Sequence, residues 1–99
     1  MDVEQSKNVY WQIGKELSEK MTKSESNKFS QEVVNFLRYA GFDKNMKIKL
    51  FQTIIEVVAR KKVSLPDDSR FTQGILQSSE LEMTTNVGFI IQGLSYHNN

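Results

Sequence analysis

Apolar residues recur every three or four positions near the start of the chain. They are Val9, Tyr10, Ile13, Leu17 and Met21. Because an α-helix turns once every 3.6 residues, this spacing places them along one side of a helix whose other sides are polar. The pattern predicts a helix over 3–21. The polar residues at 22–27 are cap and turn formers, and they predict that this helix stops there.

Two further helices are predicted in the middle of the chain. One covers 27–40 and ends at Gly41, where the absence of a Cβ allows the left-handed conformation that often terminates a helix. The other covers 44–62, with Asp43 as its N-cap. The isoleucines and valines of this third segment would also suit a buried strand. Its length and lysine-rich flanks favour a helix.

A fourth, short helix is predicted over 65–78. The run Ser64-Leu65-Pro66-Asp67 is typical of a helix start, with a capping serine and a proline in the first turn. Proline is favourable there because the backbone N–H that it lacks would have no partner inside the helix.

The final segment is the most ambiguous part of the pattern. Glycines and β-branched residues from Thr84 onward would suit a strand. Ser79 and Glu82, however, match a capping box, and the apolar residues after them keep helical spacing. The favoured prediction is a helix over 80–95, with its small residues packed against a neighbouring helix.

These segments predict an all-α fold, with the 99 residues forming a single domain, a compact bundle of four to five helices. The chain contains no cysteine, which excludes disulfides and thiolate metal sites. No apolar run approaches the roughly 18 residues needed to cross a bilayer, and no signal-peptide pattern opens the chain. We therefore expect a cytoplasmic location and no membrane partner.

Residues that could carry catalysis are sparse. The single histidine, His97, lies in a C-terminal tail of the kind that is usually frayed, where it could not hold a catalytic base in place. The carboxylate pairs Glu16/Glu19 and Asp67/Asp68 lie among polar neighbours that would not shift a pKa. The glycines form neither a phosphate loop nor a dinucleotide turn. We expect no enzyme activity, no cofactor, no metal and no small-molecule substrate.

Basic residues are concentrated in the middle of the chain, although the net charge is only +1. Residues 43–63 carry six bases against two acids, as counted from the sequence. The candidate contacts for nucleic acid or an acidic partner are Arg38, Lys44, Lys47, Lys49, Arg60, Lys61 and Lys62. Such residues suit a phosphate backbone rather than sequence readout. Lysines at the end of a helix also favour its dipole, so a merely solvated face is the competing interpretation.

Aromatic residues supply a second candidate surface. Adjacent helical residues point about 100 degrees apart, so Tyr10 and Trp11 do not both fit the apolar stripe of the first helix. One ring is expected at the surface, either as an interface anchor or as a cap on the core. Tyr39 and Phe42 pose the same question at the end of the second helix.

The leading functional hypothesis is a non-catalytic protein-protein interaction module: an adaptor, an inhibitor or a small subunit of a larger assembly. Its partner would be another protein or a second copy of itself. One alternative is a component of a nucleoprotein complex that binds the nucleic-acid backbone. Another is a small immunity or phage-type inhibitor protein, which rests on analogy of size and class alone.

Overall fold

A computed structural model of the chain describes residues 3–38, 43–64 and 76–96. These residues form four helices and no strand: α1 (Val3–Lys20), α2 (Lys23–Arg38), α3 (Lys44–Arg60) and α4 (Glu80–Leu94). The all-α fold is confirmed for this part of the chain, and the segment from Thr84 to Leu94 is helical. Of the predicted helix over 65–78, positions 65–75 lie outside the described residues.

One hydrophobic core receives side chains from all four helices. Its buried apolar members are Val9, Tyr10, Ile13, Leu17, Met21, Phe29, Val33, Leu50, Ile54, Val57, Val58, Val63, Met83, Val87, Ile90 and Leu94. Each fully buried aliphatic side chain contributes about 1.5 to 3 kcal/mol relative to an exposed one. The apolar stripe predicted for α1 therefore faces the core.

The most extensive helix contact joins α1 to α4, and the two backbones touch. A Cβ built on Gly14 would lie 2.1 Å from the carbonyl oxygen of Ile90, and one built on Gly93 would lie 2.2 Å from that of Trp11. Gly14 contacts Ile90, whereas Trp11, which is earlier in α1, contacts Gly93, which is later in α4. The two helices are therefore antiparallel. The small-residue packing predicted for the last helix is confirmed at Gly93.

The second helix begins at Lys23, so the boundary predicted near Asn27 is wrong. The polar residues before Asn27 form a capping box. The Thr22 hydroxyl oxygen accepts from the backbone N–H of Glu25 at 3.1 Å, and the Glu25 carboxylate accepts from the backbone N–H of Thr22 at 2.9 Å. The first turn of α2 consists of polar residues and carries no apolar stripe, which is why the predicted start of the helix was one turn too late.

The same glutamate connects α2 to α3. The other carboxylate oxygen of Glu25 lies 2.6 Å from the Lys61 ammonium, just beyond the last residue of α3. The start of α2 is therefore beside the end of α3. The hydrogen-bonded Lys61 ammonium and the Thr22 backbone N–H lower the pKa of Glu25 from 4.5 to about 2.

Helix α3 ends at Arg60, two residues before the predicted end, in a Schellman motif. The backbone N–H of Lys62 donates to the carbonyl of Ala59 at 3.2 Å, and that of Val63 donates to Val58 at 3.0 Å. Lys62 occupies the left-handed position of this motif, with φ of 56°. Both valines are buried, which supplies the hydrophobic contact that usually accompanies the motif.

The N-caps of α3 and α4 are those predicted from the sequence. The Asp43 carboxylate accepts from the backbone N–H of Met46 at 3.0 Å. The Ser79 hydroxyl oxygen accepts from the backbone N–H of Glu82 at 3.2 Å and donates to the Glu82 carboxylate at 3.1 Å. These caps satisfy backbone donors that would otherwise lack a partner within the helix.

Candidate protein interface

Two of the seven candidate basic residues are engaged within the protein. The Lys47 ammonium donates to the carbonyl oxygen of Ser78, and the Lys61 ammonium pairs with Glu25. Both side chains are half-buried. The other five are exposed: Arg38, Lys44, Lys49, Arg60 and Lys62. Lys47 and Lys61 therefore hold parts of the fold together, and a nucleic acid would have to displace these contacts to reach them.

The exposed basic residues form two groups rather than one strip. Lys44 and Lys49 lie near the start of α3, whereas Arg60 and Lys62 lie at its end. At 1.5 Å per residue, Lys44 and Arg60 are about 24 Å apart along the helix axis. The exposed carboxylate of Glu56 lies on the same helix between these groups. A phosphate backbone lying along α3 would meet this acid between the two basic groups.

Of the candidate aromatic residues, the structure describes Tyr10 and Trp11, and these two differ in how deeply they are buried. Tyr10 is fully buried, and this burial raises the pKa of its phenol above the usual value. Tyr10 therefore cannot serve as an interface residue in this fold, because α1 turns its ring into the core. Trp11, the next residue, is half-buried at the edge of the bundle. Tyr39 and Phe42 lie outside the described residues.

Trp11 belongs to a surface group that joins the middle of α1 to the turn just after α4. Its ring meets that of Tyr96 edge to face, with centroids 5.6 Å apart and planes at 86°. The Lys15 ammonium lies 5.6 Å from the Trp11 ring centroid and 4.9 Å from that of Tyr96, within cation-π range. We call Trp11, Lys15 and Tyr96 the aromatic platform. About half of the Tyr96 surface (52%) is exposed.

The sequence interpretation identified Trp11 but missed Tyr96 and Lys15. These residues meet only because α1 and α4 are antiparallel neighbours. No local pattern in the sequence specifies that pairing, although the glycines of the two helices offered an indirect signal of close packing.

The side of α4 opposite the core carries no charge. This outer face of α4 consists of Leu81, Thr85, Gly88 and Gln92, which follow one another at helical spacing, together with Tyr96 in the turn just after the helix. Leu81 is 76% exposed, and no Asp, Glu, Lys or Arg occurs between positions 83 and 96. The exposed residues of α2 and α3, in contrast, include Lys23, Lys28, Glu32, Arg38, Lys44, Lys49, Glu56 and Arg60.

Gly88 lies in the middle of the outer face of α4, with open space above it. Apart from its sequence neighbours and the backbone of its own helix, no atom of the described residues lies within 4 Å of a Cβ built on Gly88. The prediction of small-residue packing in this helix therefore fails at Gly88. Glycine costs a helix interior about 1 kcal/mol relative to alanine, and no contact among the described residues requires it here.

A groove of about 410 Å³ lies between α2 and α3. Phe29 and Val57 contribute to an apolar floor, and the rims carry charges of both signs, including Lys28, Glu32 and Glu56. Within the described ranges, no group of three or more side chains is arranged to hold a metal ion. No helix in these ranges is long and apolar enough to cross a membrane.

Comparisons of the chain with protein-family models, with curated proteins and with solved structures give no match.

Proposed function

We propose that this protein is a non-catalytic protein-binding module, and that it binds through the outer face of α4 together with the aromatic platform. The observation that carries the proposal is the uncharged, solvent-facing side of α4. A helix on the surface of a globular protein normally presents charged and polar residues to water. The core of a protein interface is instead depleted in charge and enriched in tyrosine and tryptophan.

Two parts of this surface have the chemistry of binding anchors. Leu81 has most of its side chain in water, and burying a leucine contributes about 1.5 to 3 kcal/mol. Trp11 and Tyr96 hold each other in an edge-to-face contact, so that little further side-chain ordering is needed when a partner covers them. Tryptophan and tyrosine are among the residues most enriched in binding hot spots.

The proposed roles of adaptor, inhibitor or small subunit would all use this surface. The nucleic-acid alternative would instead use the five exposed basic candidates, Arg38, Lys44, Lys49, Arg60 and Lys62. It would give retention of nucleic acid that weakens steeply as salt is raised. The two proposals therefore predict binding through different surface residues and a different dependence of that binding on salt concentration.

The experiment is affinity capture from the native cell with the immobilised protein, after nuclease treatment. We expect the wild type and a matched control, Gln31→Lys on the exposed side of α2, to retain the same protein partners or to self-associate alike. Leu81→Lys adds the same charge to the outer face of α4 and should lose them. Thermal unfolding of each variant checks that the fold is kept.

The proposal fails if the wild type is a monomer and captures no protein, or if Leu81→Lys retains all partners of the wild type. Retention that disappears with nuclease treatment would instead support the nucleic-acid alternative.

A further inference from the structure

We infer that the outer face of α4 is complementary to itself, and that the partner it fits is a second copy of this chain. The two α4 helices would lie antiparallel about a two-fold axis that passes between Gly88 and Phe89. This inference rests on the proposed function, because it names the partner of the same surface.

The order of residues along the face gives the register. An antiparallel pair centred between Gly88 and Phe89 places Leu81 of one copy opposite Tyr96 of the other. The exposed leucine at one end then packs against the aromatic platform at the opposite end. In a two-fold dimer every such contact occurs twice, so both ends of the face are covered.

The centre of the face is complementary in shape. Gly88 has open space above its backbone, and the half-buried ring of Phe89 is the next residue along the helix. The two-fold relation brings the two Gly88 backbones beside each other, so the helices can approach closely where neither carries a side chain, while Phe89 points about 100 degrees away and packs against the core of its own copy. Thr85 and Gln92 face each other between the centre and the ends.

The charges beside the face are also complementary. Glu82 is exposed next to Leu81, and it lies on the side of the helix that faces α1, the side it shares with Gly93. Lys15 of α1 lies at the other end, against Tyr96. The antiparallel arrangement brings Glu82 of one copy towards Lys15 of the other. Like charges do not meet on the face itself, because it has none.

The size of the face indicates a reversible dimer. The outer face spans 16 positions, from Leu81 to Tyr96, which corresponds to a length of about 24 Å and a width of about one helix, or 10 Å. A footprint of this size is smaller than that of standard specific interfaces, and contacts of this size are weak. We therefore expect monomer and dimer to exchange with protein concentration.

Sedimentation velocity of the full chain, from about 10 μM to about 1 mM, measures this equilibrium. The decisive variant is Gly88→Glu, which places a carboxylate near the axis in each copy. It should raise the dissociation constant of the dimer about tenfold or more. The monomer should become more resistant to urea, because glutamate is the better helix former and the space is open. Gln31→Glu makes the same charge change on α2 and should leave the dimer unchanged.

Single cysteines test the register, since the chain has none of its own. Leu81→Cys mixed with Tyr96→Cys should form a disulfide-linked dimer under mild oxidation, whereas Leu81→Cys alone should form little. Gln31→Cys is the control for random collision.

A wild type that stays monomeric throughout the concentration range overturns the inference, as does a dimer that tolerates Gly88→Glu. Efficient linkage of Leu81→Cys to itself would indicate parallel helices and also overturns it. If the protein is a monomer but captures another protein through Leu81, the inference of a dimer is ruled out and the proposed function is retained. A monomer that captures nothing removes both.

Discussion

The backbones of Gly14 and Ile90 are in contact, so that a Cβ on Gly14 would lie 2.1 Å from the carbonyl oxygen of Ile90. No real Cβ approaches a carbonyl oxygen so closely, and this oxygen belongs to a helix backbone that cannot rotate away. Gly14→Ala must therefore separate α1 from α4. We expect the free energy of unfolding in urea to fall by about 2 kcal/mol or more, as in other overpacked cores.

Gly88→Ala should have the opposite effect on stability. Gly88 also lies within a helix. Apart from its sequence neighbours and the backbone of its own helix, no atom of the described residues is within 4 Å of a Cβ built there. Alanine loses less backbone entropy than glycine when a helix forms. We expect the free energy of unfolding to rise by about 0.5 to 1 kcal/mol in the same urea experiment. Equal effects of Gly14→Ala and Gly88→Ala would contradict the close approach of α1 and α4.

The Glu25 contacts make stability depend on pH in the acid range. The folded pKa of about 2 is below the ordinary value of 4.5, so the folded state favours the ionised carboxylate. This contribution is fully present above pH 4.5 and is lost as the pH falls towards 2. Urea unfolding of Glu25→Gln should therefore show a flatter pH dependence between these limits than the wild type.

Lys61→Met serves as a partial control for the Glu25 prediction. It removes the ion pair but leaves the capping box between Thr22 and Glu25 in place. We expect a pH dependence between those of the wild type and Glu25→Gln. The half-exposed position of the pair means that added salt should weaken the difference. A wild-type profile that is already flat below pH 4.5 would refute the lowered pKa.

Lysine is a strained choice at position 62, where φ is 56°. A side chain in this conformation costs about 1 to 2 kcal/mol, and glycine avoids that cost. Lys62→Gly should therefore raise the free energy of unfolding by about 0.5 to 1 kcal/mol, since the more flexible unfolded chain offsets part of the gain. Lys20 would keep its hydrogen bond, because it donates to the backbone carbonyl of Lys62.

Lys49→Gly is the matched comparison for Lys62→Gly. Lys49 is exposed within α3, where glycine is about 1 kcal/mol less favourable than a good helix former. The same substitution should therefore stabilise the protein at position 62 and destabilise it at position 49. A loss of stability at both positions would show that Lys62 is not strained.

The features that the sequence predicted correctly depend on neighbours a few residues away. Asp43 and Ser79 cap their helices through groups three residues further on, and spacing of three and four places the core residues. Thr22 and Glu25 have the same spacing, but their capping box was hidden inside a run of polar residues without an apolar stripe.

The aromatic platform depends on residues that are distant in the chain, and so the sequence revealed only Trp11 of its three members. Trp11 and Tyr96 meet only after α1 and α4 have packed. The adjacent residues Tyr10 and Trp11 could not be assigned to core and surface from their order alone. That choice depends on the direction in which α1 turns against its neighbours.

The contact between α1 and α4 also has a consequence for biosynthesis. Gly14 leaves the ribosome long before Ile90. The contact between α1 and α4 therefore cannot form until the chain between them has been synthesised. Closing so long a loop is entropically costly, and distant contacts slow folding. Until α4 emerges, the nascent chain therefore leaves the side of α1 that packs against α4 uncovered, and apolar surface exposed in this way favours aggregation.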